Sequence, residues 1–183
     1  MFKPEVYNQR REELKRSMEG DNGIVVFLGN REIPMNYEDN PYPFRQDSSF
    51  LYYFGLDGLE FDAAIDLDNG TDTLFGREGT LEDRIWMGAR PALAEEAERI
   101  GVSHIEPPSK LEDVLCDARD KGRTVHYLPP YRSEHLLRLQ DLLGMRAADA
   151  KDLASVDLIR AVVAQRSIKS IDEIAEIEAA LAG

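Results

Sequence analysis

Apolar residues group along this chain in the patterns that strands and helices require. Residues 23–29 hold five apolar side chains between two glycines, which predicts a strand buried on both faces. Further along, an Asn-Gly pair separates residues 63–68 from residues 71–75. This pair, between two strand-like segments, predicts a β-hairpin.

The second half of the chain alternates short apolar segments with amphipathic ones. Residues 102–105 and 124–128 are predicted strands, and each is followed by a helical pattern. The helix between the two strands begins at Ser109, in a Ser-x-x-Glu capping box. The helix after the second strand begins at Ser133 and ends at Gly144. This alternation predicts an α/β domain with helices on both faces of the sheet, and the hairpin makes that sheet mixed.

Helix-forming residues and helix-terminal signals predict three further helices in the first half of the chain. Residues 5–18 are rich in helix formers. Thr80 begins a short helix that carries Trp86, because Asp83 stands three residues after it. Pro91 is suited to the first position of the following helix, which Gly101 ends.

The aromatic stretch at residues 41–55 admits two interpretations. Its prolines exclude a helix in the first half, whereas residues 50–54 form an aromatic run typical of a strand. Arg45, Gln46 and Asp47 lie between the two halves. The stretch is therefore either an exposed recognition loop or the polar hinge of a core strand. The rest of the chain favours a division, with residues 50–54 in the sheet and the preceding segment free to reach outward.

The last residues of the chain predict one more amphipathic helix. Ser170 and Glu173 form a capping box, and apolar side chains follow on one face. They are Ile171, Ile174, Ala175 and Leu181. A helix of this kind needs a surface that covers its apolar face. It either docks back on the domain or is the first helix of a missing domain.

Composition excludes some classes of function. The 183 residues, 43% of them hydrophobic, are enough for one domain with a core. The formal net charge of -13 argues against nucleic acids and anionic membranes as partners. The chain shows no membrane span and no signal-peptide core. A single cysteine, Cys116, permits no internal disulfide, so we expect a cytoplasmic protein.

No catalytic constellation is visible in the residues themselves. His104, His126 and His135 have no second ligand at metal spacing, and Cys116 is predicted to be a small core residue. The sequence contains no G-x-S-x-G, P-loop or G-x-G-x-x-G motif.

Three motifs together resemble the N-terminal domain of Xaa-Pro aminopeptidases, which belong to the creatinase/prolidase-like metallopeptidases. The first is YPFRQDSSFLYYFG at residues 42–55. The second joins LF at 74–75 with IWMGAR at 85–90, and the third joins Arg166 with IKS at 168–170 and EI at 173–174. They occur in the family's order and at compatible spacings, so the resemblance covers nearly the whole chain.

The resemblance implies a two-domain enzyme of which this chain holds one part. Residues 1–165 correspond to the N-terminal domain, with an RNase H-like fold, and residues 166–183 to the linker and first helix of an absent pita-bread catalytic domain. That domain binds two divalent metal ions, commonly manganese, through two Asp, one His and two Glu. The metals activate a hydroxide that attacks the carbonyl of the residue before proline. The implied substrates are peptides with proline at the second position, and the implied assembly is a homo-oligomer, a dimer or tetramer. This chain alone should be inactive.

Three residues of this chain are candidates for substrate binding by resemblance. Asp39 precedes the YPFR motif where the family places an acid that reaches the substrate's amino terminus; the alternative is a solvated loop carboxylate. Trp86 matches a position that can line an adjacent subunit's pocket; the alternative is a core anchor. Arg146 falls, by spacing, where some members carry an arginine near the substrate. Arg45 is interpreted as structural, a donor to loop carbonyls or to an acid.

Two other hypotheses stay open on sequence grounds. The chain is alternatively a stand-alone, non-catalytic interaction domain, since its last helix carries an apolar face. It is alternatively the N-terminal domain of a prolidase or creatinase relative, because these enzymes share the same domain plan. The motif at residues 42–55 favours the aminopeptidase.

Overall fold

A computed structural model describes residues 2–37 and 39–182 of the chain. Its centre is a sheet of five strands: β1 (Ile24–Leu28), β2 (Asp62–Asp66), β3 (Asp72–Phe75), β4 (His104–Glu106) and β5 (Val125–His126). Their spatial order is β4-β3-β2-β1-β5. The pairs β1–β2 and β2–β3 are antiparallel, and the pairs β1–β5 and β3–β4 are parallel. The sheet is therefore mixed, as predicted, and the predicted Asn-Gly hairpin joins β2 to β3.

Helices cover both faces of this sheet. In chain order they are α1 (Pro4–Ser17), α2 (Ser48–Phe54), α3 (Leu81–Met87), α4 (Leu93–Arg99), α5 (Lys110–Asp120), α6 (Ser133–Leu143), α7 (Val156–Ser167) and α8 (Ile171–Ala182). Buried side chains of α1, α2, α4 and α7 form one hydrophobic layer, and those of α5 and α6 form the other. The described residues of α3 and α8 include no buried side chain. The predicted α/β architecture is confirmed.

Strand β1, which lies between β2 and β5, joins the two layers. All five of its residues are buried. Val25 and Phe27 point into the layer beneath α1 and α2, whereas Ile24, Val26 and Leu28 point into the layer beneath α5 and α6. Successive side chains of a strand point to opposite faces, so a run that is apolar throughout supplies both layers at once. The predicted strand with two buried faces is confirmed.

The prediction that residues 50–54 form a strand is wrong, because they belong to α2. The side chain of Asp47 accepts hydrogen bonds from the backbone N–H groups of Ser49 and Phe50, which starts the helix. Gly55, at φ 67°, ends it and donates to the carbonyl of Leu51. Phe50 and Phe54 then lie on one helical face and are fully buried. The rings are core residues, as expected, but at helical spacing.

The predicted capping boxes differ in outcome. Those at Thr80 and Ser170 form, each with reciprocal hydrogen bonds to the residue three places later. Ser109 forms none, because it adopts helical backbone angles itself. The preceding prolines explain this: the carbonyls of Pro107 and Pro108 accept the first N–H groups of α5.

Element boundaries also differ from those predicted. Pro91 is not the first residue of α4, which begins at Leu93. Strand β5 covers only two residues of the predicted 124–128, and Pro129 and Pro130 follow it closely. The predicted domain boundary after residue 165 falls within the last turn of α7 and stays a prediction. Over residues 2–37 and 39–182, no helix has both the length and the apolar character of a membrane span.

Candidate functional site

Most of the loops of this fold that carry candidate residues leave one edge of the sheet. Strands β1, β3, β4 and β5 all end there, since β2 is the one that runs in the opposite direction. The last paired residues at this edge are Leu28, Asp62, Phe75 and Glu106, which lie side by side on neighbouring strands. Open α/β sheets bind ligands beyond the carboxyl ends of their parallel strands. We call this side of the molecule the carboxyl edge.

Asp62 holds the carboxyl edge together. Its carboxylate is 1% exposed and accepts four hydrogen bonds. The backbone N–H of Gly29 donates at 3.0 Å and Arg31 at 2.8 Å. Arg138 donates through both terminal nitrogens, at 2.9 and 2.6 Å. A carboxylate has about four acceptor positions, so all are filled. Asp62 thereby joins the loop after β1, the start of β2 and helix α6.

Gln46 performs a similar role on the other side of the β1 loop. Its side-chain oxygen accepts from the backbone N–H groups of Asn30, at 2.6 Å, and Asp47, at 2.8 Å. Its amide donates to the carbonyl of Gly58 at 2.8 Å. The Asn30 amide in turn donates to the backbone carbonyl of Arg45, whose side chain is exposed. The polar triplet at residues 45–47 is thus a structural joint that positions the loop.

Asp39 lies in the projecting part of the same loop. Residues 33–35 and 40–42 lie against each other through backbone hydrogen bonds, from Tyr42 to Ile33 and from Met35 to Asn40, each at 2.9 Å. Asp39 is exposed near the turn of this hairpin-like segment. The exposed ring of Tyr37 lies close by in sequence. The structure therefore presents the Asp39 carboxylate to solvent on the carboxyl edge.

Trp86 lies on α3, which follows β3 from the same edge. Its side chain is 79% exposed, and Leu81, Ile85 and Met87 are exposed beside it. The helix is well fixed at its start, where Thr80 and Asp83 form a capping box and Asp83 pairs with Arg77. Hydrogen bonds from Arg77 and Thr80 lower the pKa of Asp83 below its usual value. The structure thus leaves the apolar side chains of α3 open to solvent, and Trp86 is not a core residue of this chain.

Arg146 lies away from these two residues. Helix α6 begins at the carboxyl edge, where His135 donates to the carbonyl of Gly29 at 3.2 Å. It then runs for 11 residues, about 16 Å, to Gly144, which lies beside Arg119 at the end of α5. Arg146 follows, exposed and paired with Asp149 at 3.1 Å. The structure thus brings the loops of Asp39 and Trp86 to one edge and leaves Arg146 at the far end of α6.

A cleft of about 230 Å³ opens where β1 and β5 lie side by side. The chain leaves β1 towards α2 on one face and β5 towards α6 on the other, which is the crevice that α/β sheets use for ligands. Its polar groups are already engaged within the fold: Asp47 caps α2, and His135 bonds to Gly29. Burial lowers the pKa of His135. The cleft is lined mainly by apolar side chains.

The part of the chain that the structure describes offers no metal centre. Over residues 2–37 and 39–182, no group of three or more His, Cys, Asp or Glu side chains is arranged to hold an ion. The five-ligand site that the family resemblance implies is expected in the catalytic domain, outside these residues.

Solved aminopeptidases share this fold. Escherichia coli aminopeptidase P in complex with substrate superimposes with a TM-score of 0.75 at 22% identity, over 95% of this chain and 41% of that one. Pseudomonas aeruginosa aminopeptidase PepP gives a TM-score of 0.65 at 25% identity, over 84% of this chain and 35% of that one. The mixed sheet with helices on both faces is therefore the fold of an aminopeptidase domain.

Sequence comparison assigns the family. A family model described as "Aminopeptidase P, N-terminal domain" matches residues 7–126. A probable Xaa-Pro aminopeptidase of Aspergillus fumigatus is 28% identical over 149 residues, 75% of this chain and 31% of that protein. One from Ajellomyces dermatitidis is 30% identical over 104 residues, 56% and 21% respectively. The chain belongs to the aminopeptidase P N-terminal domain family, and it spans less than a third of these relatives' length.

Replacing Asp62 with asparagine should strongly destabilise the fold. The amide would keep the size of the side chain but leave Arg31 and Arg138 without a counter-charge at a buried position. Breaking a buried pair in this way costs about 3–5 kcal/mol, to be measured by urea unfolding. Asp113→Asn is the matched control, since its pair with Lys110 is exposed and should contribute little to stability. Equal losses in the two variants would contradict the central role of Asp62.

His135 should make stability depend on pH. Because burial lowers its pKa in the folded state, the unfolded state binds more protons between that value and about 6.5. Its contribution is therefore complete above about pH 6.5 and is lost as the pH falls through that window. The loss of unfolding free energy on acidification should be smaller in His135→Gln, measured by urea unfolding across this range. His104→Gln controls for removal of a histidine, and an unchanged pH slope in His135→Gln would refute the prediction.

Proposed function

We propose that this chain is the N-terminal, non-catalytic domain of a metal-dependent Xaa-Pro aminopeptidase, which removes an N-terminal residue that precedes proline. The family match over residues 7–126 carries the proposal. The curated relatives named Xaa-Pro aminopeptidases are about three times as long as the segment they share with this chain, which leaves room for a catalytic domain. We also expect a cytoplasmic enzyme, on the basis of the single cysteine.

In this proposal the carboxyl edge closes one side of the active site. Asp39 is exposed there on a hairpin-like segment, and a carboxylate favours the free α-ammonium group that an aminopeptidase substrate carries. Asp62 and Gln46 support the base of that loop through buried hydrogen bonds. Arg146 lies at the opposite end of α6 from the carboxyl edge. It can contact the substrate only if the active site also extends to that end of the helix.

The reaction itself requires groups that lie outside this chain. We expect two divalent metal ions, manganese in the first instance, to be held by two Asp, one His and two Glu elsewhere in the enzyme. Bound there, such ions would activate water and polarise the scissile carbonyl. The contribution of this chain is to bind and orient the peptide.

The exposed helix α3 favours assembly of several subunits. Four apolar side chains on a helix of seven residues face solvent, namely Leu81, Ile85, Trp86 and Met87. Contiguous exposed apolar groups mark interaction sites, and tryptophan is enriched among the residues that dominate interfaces. We propose a homo-oligomer, a dimer or tetramer, in which Trp86 contacts a neighbouring subunit's pocket.

A second candidate function is a stand-alone interaction domain. The exposed isoleucines of α8, Ile171, Ile174 and Ile177, favour it, because a partner could cover them. Reading the gene past Gly183 separates the two ideas: a stop codon favours the interaction domain, whereas ligands of the Asp, Asp, His, Glu, Glu type favour the peptidase. A prolidase or creatinase relative would share this domain and differ in substrate.

The proposed activity is tested with the product of the complete reading frame. That protein, loaded with Mn²⁺, should hydrolyse an Xaa-Pro dipeptide, and this chain alone should not. Hydrolysis by this chain alone would contradict the location of the active site. An inactive complete protein would contradict the assignment as a peptidase.

Asp39→Asn should weaken substrate use and leave the fold intact. Loss of a charged hydrogen bond to the substrate's ammonium group costs roughly 1.5–3 kcal/mol, which is about 10- to 150-fold in kcat/KM. An exposed loop substitution should change the unfolding free energy by less than about 0.5 kcal/mol. Asp141→Asn, on the exposed side of α6, makes the same charge change away from the loop. Equal kinetics in the Asp39 variant and wild type would exclude Asp39 from binding.

Trp86→Ala should weaken self-association. Removing an interface tryptophan typically costs more than about 1.4 kcal/mol, so the dissociation constant should rise at least about 10-fold. Thermal stability should hardly change, since the ring is already exposed within one chain. Sedimentation equilibrium measures the association, with Leu137→Ala, also exposed, as the control. A wild-type chain that is monomeric at every concentration would refute the role of α3.

A further inference from the structure

Helix α8 is joined to the rest of the domain by polar contacts at its first turn. Its described residues include none that is buried, and its apolar side chains are exposed, Ile171 at 86% and Leu181 at 83%. Hydrophobic burial within this chain therefore does not fix its direction. What holds it must be found near Ser170 and Glu173.

Arg10 of α1 lies under this first turn in a cage of aromatic rings. Its guanidinium carbon is 4.0 Å from the ring centre of Tyr52 and 4.7 Å from that of Phe2. One terminal nitrogen, Nη1, donates to the backbone carbonyl of Tyr52 at 2.9 Å. The side chain is only 8% exposed. Aromatic faces attract a cation, so the cage holds the guanidinium firmly in one place.

The second terminal nitrogen of Arg10 is buried and makes no hydrogen bond to any described residue. A buried charged donor without an acceptor is unfavourable, so this position favours a nearby anion. The carboxylate of Glu173 supplies it: Oε1 lies 3.7 Å from Arg10 Nη2. The other carboxylate oxygen accepts from the backbone N–H of Ser170 at 3.0 Å. Glu173 therefore caps α8 with one oxygen and pairs with α1 through the other.

The end of α7, in contrast, is anchored by several hydrogen bonds. Gln165 donates to the backbone carbonyl of Arg10 and accepts from the Tyr53 hydroxyl, both at 2.9 Å. Arg166 lies over the ring of Tyr52, at 5.3 Å. The chain then becomes extended at Ile168, at φ -106° and ψ 118°. A cleft of about 360 Å³ lies inside this corner and leaves room for α8 to change direction.

We propose that Arg10 is a positioning residue, whose ion pair with Glu173 fixes the direction in which α8 leaves the domain. The anchored end of α7, the extended residue at 168 and the Arg10–Glu173 ion pair together form a pivot. The consequence for catalysis rests on the proposed function. If the catalytic domain follows α8, this ion pair sets how that domain meets the carboxyl edge.

Glu173→Gln separates the ion pair from the cap. Glutamine also serves at the third position of a capping box, so α8 still begins at the same residue while its charge is removed. Glu176→Gln makes the same charge change on the exposed surface of the same helix and is the matched control. Both variants leave the buried core untouched, so the body of the domain should fold as in the wild type.

Amide hydrogen exchange and N–H residual dipolar couplings, measured by NMR on this chain, report on the pivot. Exchange at amides of α8 should be at least about 2-fold faster in Glu173→Gln, because the ion pair with the mostly buried Arg10 is lost. The couplings of α8 should fall relative to those of the sheet, because the helix samples more directions. Glu176→Gln should match the wild type, and Arg10→Lys, which keeps the charge, should lie nearer to the wild type than to Glu173→Gln.

Identical couplings and exchange in Glu173→Gln and wild type would overturn the proposed role of Arg10. This readout needs no enzymatic activity, so it is separate from the proposed function. In the complete gene product, Glu173→Gln should lower kcat/KM by a similar factor without changing metal content. A wild-type product that is inactive would refute the peptidase and leave the pivot standing.

Discussion

Burial of β1 on both of its faces is the constraint on which the rest of this structure depends. A strand with apolar side chains at every position requires a hydrophobic layer above it and another below it. The chain provides them from α1, α2, α4 and α7 on one side and from α5 and α6 on the other. The hydrogen-bonding edges of β1 are also occupied, by β2 and β5. The loop that follows β1 consequently leaves the carboxyl edge between β2 and β5.

Local signals are enough to predict those parts of the fold in which neighbouring residues decide the structure. The strand at residues 24–28, the Asn-Gly hairpin and the capping boxes at Thr80 and Ser170 are of this kind. Residues 50–54 are not, because five aromatic and apolar residues in a row suit a strand or a helix equally well. The Asp47 cap and Gly55 after the run decide in favour of the helix. At Ser109 two preceding prolines replace the expected cap.

The candidate site is only partly accessible to sequence reasoning. Resemblance singles out Asp39 and Trp86, and topology explains why their loops share an edge: β1 and β3 run in the same direction. Neither composition nor spacing points to Asp62, because its arginine partners stand 31 and 76 residues away. Contacts at such separations exist only in the folded chain. Spacing alone points to Arg146, and spacing gives no information about which end of α6 it occupies.

Asp62 pairs with both Arg31 and Arg138. Substitutions at the acid and at the two arginines should therefore differ in how well the protein tolerates them. If either Arg31 or Arg138 is replaced, Asp62 still has the other arginine as its counter-charge. A substitution at one arginine is therefore tolerated while the other remains. Loss of Asp62 leaves two like charges without the counter-charge that they share. Among descendants of this sequence, the acid should therefore be the fixed member of the cluster, and the two bases its interchangeable members.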